Sequence, residues 1–180
     1  ENTSILATIA SPIAVLLVPV VGIAAWQLAA AAVTGFIAKE NVVGTLAVCY
    51  ALTDFIDTEE LALVGGSSEV ATVMGLTKVA ALAYLMFNLF SPPCFAAIGA
   101  MNAELKDKKW LFAGIGLQLG VGYTIGFFVY QIGTYVLDGT LGAAFLPGLM
   151  AVAVFAAILV WLCVRADRKL KSEYALSGRK

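Results

Sequence analysis

The 180-residue sequence contains no histidine and few charges: 11 residues are basic, 12 are acidic, and the formal net charge is -1. Without histidine, the commonest metal ligand and general base are missing, and haem held by histidine is excluded. The near-zero net charge gives no overall attraction for nucleic acid. In contrast, 61% of the residues are hydrophobic, whereas soluble globular chains average about 45–50%. The composition therefore predicts an integral membrane protein.

Short motifs that indicate enzymatic chemistry are also missing. No GxxxxGK[ST] phosphate-binding loop occurs, so we expect no nucleotide-driven step and no enzyme activity in this chain. The three cysteines, Cys49, Cys94 and Cys163, are widely spaced in apolar stretches. That spacing matches neither a disulfide framework nor a zinc knuckle. We interpret Cys49 and Cys163 as ordinary apolar positions.

Five apolar segments are candidates for crossing the hydrocarbon layer, which takes about 20 helical residues. They cover residues 4–21, 24–52, 70–103, 110–137 and 143–164. Pro12 and Pro19 predict kinks in the first segment. We predict an all-α integral membrane protein, a polytopic helical bundle of about four to five segments with two discontinuous helices. Its transmembrane region would be 1–166 and its polar cytoplasmic tail 167–180.

The connections between segments differ in the sign of their charge. Five acidic residues lie in 54–69, three lysines lie in 106–109, and six basic residues lie in 165–180. Because cytoplasmic loops of membrane proteins carry an excess of Lys and Arg, we expect the basic loop and the C-terminus to be cytoplasmic. The acidic loop and the turn at 138–140 would then be external.

A lysine and a glutamate, Lys39 and Glu40, lie near the middle of the second segment, between Gly35 and Gly44. An isolated charge at the centre of a membrane helix costs about 2.5–3.5 kcal/mol on insertion scales, so each should face a cavity or a partner. We predict that Gly35 and Gly44 permit a break in the helix here. Two interpretations stay open: an internal charge pair that fixes packing, and a position on a transport path.

The third segment is interrupted at residues 91–94, Ser-Pro-Pro-Cys, where two prolines lack backbone donors. Carbonyls freed at such a break can bind a cation together with a thiolate. The alternative is a proline–cysteine pair that only packs. Since paired helix breaks are typical of transporter substrate sites, we predict that this break lies on a transport path. The predicted path residues are Lys39, Glu40, Ser91, Pro93 and Cys94, of which Cys94 and Glu40 are the predicted metal ligands.

These residues leave the cargo open. One alternative is a carrier for a nucleoside or another small organic solute, which would need polar side chains around the breaks, such as Asn41, Asn88, Ser91 and Asn102. Another is a non-transporting membrane scaffold, in which the Lys39–Glu40 pair and the glycines only lock helices together. The scaffold interpretation predicts that neutral substitution of both charges preserves assembly, whereas single substitutions disrupt it.

The sequence resembles the bacterial ferrous iron transport protein B family, in the second of its two gate-like membrane repeats. The likeness covers about residues 11–133. It is carried by Trp26-Gln27 through Leu46, including Thr-Gly-Phe-Ile-Ala-Lys-Glu and Val-Val-Gly-Thr-Leu, by Pro93-Cys94, and by Val129-Tyr-Gln-Ile-Gly133.

This resemblance implies Fe²⁺ uptake across the bacterial inner membrane, through a pore lined by Pro93 and Cys94. Fe²⁺ would be a transported substrate, with no cofactor bound stably. The family also has an N-terminal GTPase domain and a first gate repeat, so we expect this chain to be half of a channel. Its expected partners are the missing N-terminal half, the lipid bilayer and further copies in a homo-oligomer, with no nucleic acid.

The chain departs from the family pattern at two places. Family members often have a threonine three residues after the Pro-Cys pair and then a basic pair, whereas this chain has Ala97 and then Asn102-Ala103. A hydroxyl ligand at that position is therefore excluded. Asn41 replaces a small apolar residue, which predicts more polar surroundings for Glu40.

Overall fold

The computed structural model describes residues 5–39, 41–50 and 72–177. This part of the chain contains seven α-helices of nine residues or more and no β-strand, which confirms the all-α prediction. The helices are α1 (Ile5–Val21), α2 (Trp26–Gly35), α3 (Asn41–Cys49), α4 (Lys78–Phe90), α5 (Phe95–Leu105), α6 (Lys108–Asp138) and α7 (Phe145–Ser177).

The two discontinuous helices lie where the sequence predicts them. The second apolar segment is divided into α2, which ends at Gly35, and α3, which begins at Asn41, and we call residues 36–39 the first break. The third segment is divided into α4 and α5 by residues 91–94, which we call the second break. Two consecutive prolines explain the second break, because neither can donate a backbone hydrogen bond to a continuing helix.

Among the residues that the structure describes, three stretches are long and apolar enough to cross a membrane: Lys78–Leu105, Lys108–Asp138 and Phe145–Arg168. A fourth is counted if Ala7–Val21 and Trp26–Gly35 form one broken span, in which the two helices are bent by 96°. α1 continues through both of its prolines, and the change of direction comes after it, where Gly22 has φ +85°. Glycine adopts this left-handed conformation without the steric cost of a side chain.

The core of the first compact unit, Glu1–Phe145, is built around α4 and α6, which have the most extensive packing in the molecule. α1 packs against α2, α4 and α6, and α2 packs against α3. Small residues make this possible: Ala29, Ala31 and Ala83 are completely buried. Close backbone packing of this kind is typical of membrane helices, where apolar side chains gain little by leaving lipid.

Leu146–Lys180 forms the second compact unit. α7 is a single helix that continues past residue 166, where we predicted the end of the transmembrane region, as far as Ser177. Its polar end carries an ion pair between Lys171 Nζ and Asp167 Oδ2 at 2.7 Å. The Arg165 guanidinium lies 5.1 Å from the centre of the Trp161 ring. The predicted boundary between region and tail is therefore not marked by a helix end.

Candidate functional site

The first break is a short series of turns that follows Gly35. The amide of Phe36 donates to Val33 at 3.1 Å and that of Ile37 donates to Thr34 at 2.9 Å, and the chain re-enters a helix at Asn41. Across the break, the hydroxyls of Thr34 and Thr45 are joined by a 2.8 Å hydrogen bond. This bond ties the end of α2 to α3 while the backbone between them is not helical.

The second break follows the C-terminus of α4. The Ser91 hydroxyl donates to the Asn88 carbonyl at 2.7 Å, and the Asn88 amide donates to the Tyr84 carbonyl at 2.8 Å. Pro92 is buried, and Cys94 is half-buried as the residue that precedes α5. The Cys94 side chain makes no capping hydrogen bond to α5. Capping this helix therefore does not account for the presence of a thiol there.

Lys39 joins the two breaks. Its Nζ donates to three backbone carbonyls at the end of α4, those of Asn88 at 2.8 Å, Leu89 at 3.2 Å and Ser91 at 3.2 Å. The last carbonyls of a helix have no partner within the helix and carry partial negative charge, which favours a cation. In return, the amide of Phe95, the first residue of α5, donates to the Phe36 carbonyl at 3.0 Å. The first break therefore supplies a side-chain donor to the carbonyls at the end of α4, and a backbone acceptor to the first amide of α5.

A cavity of about 650 Å³ lies where the breaks meet. One wall is the first break, with Ala38 and Lys39, and a second is the end of α4 and the second break, with Ser91, Pro93 and Cys94. The third wall is α6, which contributes Leu117, Gln118 and Val121. The lining is mainly apolar with a few polar groups, as is usual for sites that bind small molecules or ions.

The structure brings four of the five predicted path residues together, because Lys39, Ser91, Pro93 and Cys94 all line this cavity. Glu40 lies outside the described residues. Among those that are described, no three cysteine or acidic side chains converge as a metal cluster. Their roles as path residues and metal ligands remain predictions.

The two glycines predicted to permit the first break differ in position. Gly35 is the last residue of α2 and is buried, and a Cβ there would lie 2.7 Å from Val42 Cγ2. Gly44 lies in the interior of α3, and a Cβ there would meet nothing within 4 Å. The break is thus bounded by Gly35 and ends at Asn41, before Gly44 is reached.

Gln118 is the lining residue that the sequence analysis missed. Its Oε1 is buried and accepts no hydrogen bond from the part of the chain that the structure describes. The available signal was a single polar side chain in a charge-free span, in Gly116-Leu-Gln-Leu-Gly120. Polar residues inside the membrane tend to be functional, but the glycines on either side favour an interpretation as helix packing.

Glycines on α6 hold this wall against α4. A Cβ on Gly122 would lie 3.1 Å from the carbonyl oxygen of Phe87 and from the amide nitrogen of Ser91. A Cβ on Gly126 would lie 3.2 Å from Phe87 Cβ and 2.7 Å from a methyl of Val20. Because a Cβ would be crowded at both positions, α6 can approach the end of α4 closely, which places Gln118 beside the second break.

Three comparisons bear on this arrangement. The model of the family described as "Gate: Nucleoside recognition" matches residues 1–108. Among curated proteins, the Fe(2+) transporter FeoB of Staphylococcus aureus strain COL is 28% identical over 120 residues, which is 66% of this chain and 16% of that protein. No solved structure matches.

Two further relatives carry related names. The Fe(2+) transport protein A/Fe(2+) transporter FeoB fusion protein of Porphyromonas gingivalis strain W83 is 32% identical over 113 residues, 60% of this chain and 13% of that protein. The Fe(2+) transporter FeoB of Escherichia coli K12 is 25% identical over 189 residues, 82% of this chain and 24% of that protein. The chain thus spans no more than about a quarter of the length of these relatives. These matches confirm the resemblance seen in the sequence.

Proposed function

This chain belongs to the Gate family described as nucleoside recognition, and we propose that it forms part of the translocation path of a membrane transporter for Fe²⁺. The observation that carries the proposal is the meeting of two helix breaks at one cavity, with the Lys39 ammonium and the Cys94 side chain in its walls. Broken helices that meet inside a membrane are the usual origin of transporter substrate sites.

The end of α4 supports cation transport in particular. Its carbonyls already hold a positive charge, since Lys39 Nζ lies within 3.2 Å of three of them. These carbonyls offset the charge of the ammonium, so its repulsion of a passing cation is reduced. Cys94 adds a sulfur ligand beside these oxygens. Among divalent cations, this favours a transition metal over Mg²⁺ or Ca²⁺, which prefer oxygen alone.

The identity of the cargo comes from the relatives, which are named as Fe(2+) transporters. In this proposal, Cys94 offers its thiolate to Fe²⁺, and Glu40 supplies negative charge or balances Lys39. Lys39 holds the first break against the end of α4 through its three hydrogen bonds. Ser91 and Pro93 form the lining on the side of the second break.

The relatives are several times longer than this chain, so we propose that it acts within a larger transporter. The expected remainder is a first gate repeat, which completes the path, and a GTPase domain, which would carry any enzymatic activity. We further propose a multi-pass location in the bacterial inner membrane, with a cytoplasmic C-terminus and assembly as a homo-oligomer. The charge pattern of the loops supports this orientation.

A nucleoside carrier is the second candidate, because the family description names nucleoside recognition. The cavity volume of about 650 Å³ is also within the range of small-molecule sites. Recognition of a base needs free donors and acceptors, however. The Ser91 hydroxyl donates within its own break and the Lys39 ammonium is engaged by three carbonyls. Of these side chains, Gln118 keeps a free acceptor.

The test is Fe²⁺ uptake by cells or proteoliposomes that contain the intact transporter, comparing the wild type with Cys94→Ser at matched membrane expression. Loss of a metal ligand is expected to lower uptake by about tenfold or more. Cys49→Ser and Cys163→Ser are matched controls, because neither residue lines the cavity, and both should transport normally.

Unchanged uptake in Cys94→Ser would assign Cys94 to packing and contradict the proposed path. Uptake of a labelled nucleoside, with no uptake of Fe²⁺ by the wild type, would replace the proposal with the second candidate. The substitution pair Lys39→Met and Glu40→Gln tests the scaffold interpretation. If the double variant assembles and transports like the wild type while each single substitution disrupts assembly, these charges only hold helices together.

A further inference from the structure

We propose that Gln118 is a specificity-determining ligand, whose amide oxygen contacts the transported cation from the α6 wall of the cavity. This inference rests on the proposed function, and it names a contact that lies on a different helix from either break. The observation behind it is the buried Oε1 of Gln118, which has no hydrogen-bond partner in the described ranges, together with its position in the lining of the cavity.

A buried amide oxygen without a partner is unfavourable. Leaving such an acceptor unsatisfied costs about 1–3 kcal/mol, and replacing it by an apolar group of similar shape removes that cost. Apolar side chains surround it on the same helix: Leu117 and Val121 also line the cavity. A leucine at position 118 would therefore serve packing at least as well. The presence of glutamine is explained if the oxygen acquires a partner during transport.

Gln131, on the same helix, is a glutamine whose side chain is hydrogen-bonded within the fold, and it serves as a comparison. It is 4% exposed, and its Oε1 accepts the amide of Gly142 at 2.9 Å. Its Nε2 donates to the Pro19 carbonyl at 3.3 Å. Both ends of that side chain are thus bonded to backbone groups of the fold. The oxygen of Gln118 has no such partner, and the residue lines a cavity large enough for an ion and several waters. Because the oxygen itself is shielded from the cavity, the terminal amide has to rotate about its soft last torsion to bring the oxygen to a cation.

The chemistry of the lining gives Gln118 a defined part in selectivity. Amide oxygen is a hard ligand that suits Mn²⁺ and similar cations, whereas the Cys94 sulfur is a soft ligand that favours Zn²⁺ or Cu⁺. Fe²⁺ lies between them in the order of divalent affinities and accepts both kinds of ligand. With oxygen and sulfur in different walls, the cavity suits an intermediate cation. Removal of the oxygen should shift the preference toward softer metals.

The experiment compares the intact transporter with its Gln118→Leu, Gln118→Glu and Cys94→Ser variants at matched expression. It measures Fe²⁺ uptake, competition by Mn²⁺ and by Zn²⁺, and the melting temperature in detergent. For Gln118→Leu we expect about tenfold lower uptake, in the range found when metal-site residues are lost. We also expect weaker competition by Mn²⁺ relative to Zn²⁺, and an unchanged or higher melting temperature.

Gln118→Glu keeps an oxygen at the same place, so its uptake should lie closer to the wild type than that of Gln118→Leu. If Gln118→Leu lowers the melting temperature, the comparison between Gln118→Glu and the wild type decides. Loss of uptake in Gln118→Glu at an unchanged melting temperature, with metal competition unchanged, would overturn the inference.

The failures of the two proposals are distinguishable. Normal uptake in Gln118→Leu with loss in Cys94→Ser would refute the ligand role of Gln118 and leave the Fe²⁺ path standing. Normal uptake in both variants, or a wild type that does not transport Fe²⁺, would refute both.

Discussion

The two glutamines of α6, Gln131 and Gln118, differ in their hydrogen bonding. At the closed end, which consists of Gly126, Tyr130, Gln131 and their contacts, Gln131 is hydrogen-bonded to the backbone and Gly142 packs against the Tyr130 ring. At the open end, which consists of Gln118 and the two breaks, a cavity separates the helices and the oxygen of Gln118 lacks a described partner. A glutamine is therefore fully hydrogen-bonded within the fold at the closed end, whereas the glutamine at the open end has an amide oxygen without a described partner.

Hydrogen bonding thus distinguishes two kinds of buried polar group in this fold, those with partners and those without. A buried polar group that stabilises the fold has its partners in place, as at the closed end. One that is left unsatisfied lowers stability and calls for another explanation. The predictions below test whether the closed end stabilises the molecule and whether the open end is required for transport.

The largest effect on stability is expected from Gln131→Leu. This change leaves the amide of Gly142 without its acceptor and the Pro19 carbonyl without its donor. Each buried group left unsatisfied costs about 1–3 kcal/mol, so the melting temperature and the membrane expression should fall clearly. The same substitution at Gln118 should not lower the melting temperature. Equal losses at both positions would remove the distinction between the two ends.

Gly126→Val should rank next. A Cβ at Gly126 lies 2.7 Å from Val20 Cγ1 and 3.3 Å from the Ala83 carbonyl, so the larger side chain forces α6 away from α1 and α4. Overpacking of this kind typically costs about 1–3 kcal/mol. Gly116→Val is the control on the same helix, because a Cβ there meets nothing within 4 Å. Thermal unfolding in detergent should show a loss for Gly126→Val alone.

Lys39→Met is expected to have an intermediate effect on stability and a strong one on transport. It removes the ammonium from the carbonyls of Asn88, Leu89 and Ser91 while keeping a long side chain. The Asn88 carbonyl keeps its bond from the Ser91 hydroxyl, so we expect a loss of about 1–3 kcal/mol from the carbonyls of Leu89 and Ser91, together with reduced Fe²⁺ uptake per folded molecule. A variant that is destabilised but transports normally per molecule would place Lys39 in the scaffold only.

The smallest effect is expected from Thr45→Val. It removes the 2.8 Å hydrogen bond to the Thr34 hydroxyl across the first break and preserves the shape of the side chain. A single hydrogen bond contributes about 1 kcal/mol, and the Thr34 hydroxyl keeps its 3.0 Å bond to the Ala31 carbonyl. A small decrease in melting temperature with normal assembly would show that the first break is held mainly by Lys39. A large decrease would show that the first break is held mainly by the hydrogen bond between Thr34 and Thr45.

The sequence was sufficient to predict the helical class and both interruptions. Hydrophobic length identified the segments, and the prolines at 92 and 93 identified the second break, because these are local properties of the chain. It also placed a charge at the first break. It could not show that Lys39 reaches across 49 residues of sequence to the Asn88 carbonyl, since that contact depends on how α2 and α4 pack.

The position of Gln118 in the cavity lining could not be predicted from the sequence, for the same reason. Its neighbours Gly116 and Gly120 suggested a packing face, yet a Cβ on Gly116 meets open space. The close contacts with α4 are made by Gly122 and Gly126, a second glycine pair on this helix whose spacing also predicts packing. Periodicity shows which residues share a helix face, but it does not show whether that face meets another helix or a cavity.

The length of α6 has an electrical consequence. Its 31 residues span about 46 Å at 1.5 Å per residue, and Gln118 lies about 15 Å from Lys108 along the axis. For a hydrocarbon layer about 30 Å thick that begins at that lysine, Gln118 would lie close to the midplane. An elementary charge that crosses 100 mV gains or loses about 2.3 kcal/mol. On the proposed path, a divalent cation brought halfway across the membrane to this cavity would change its energy by about 2.3 kcal/mol per 100 mV, which would make occupancy of the cavity sensitive to the membrane potential.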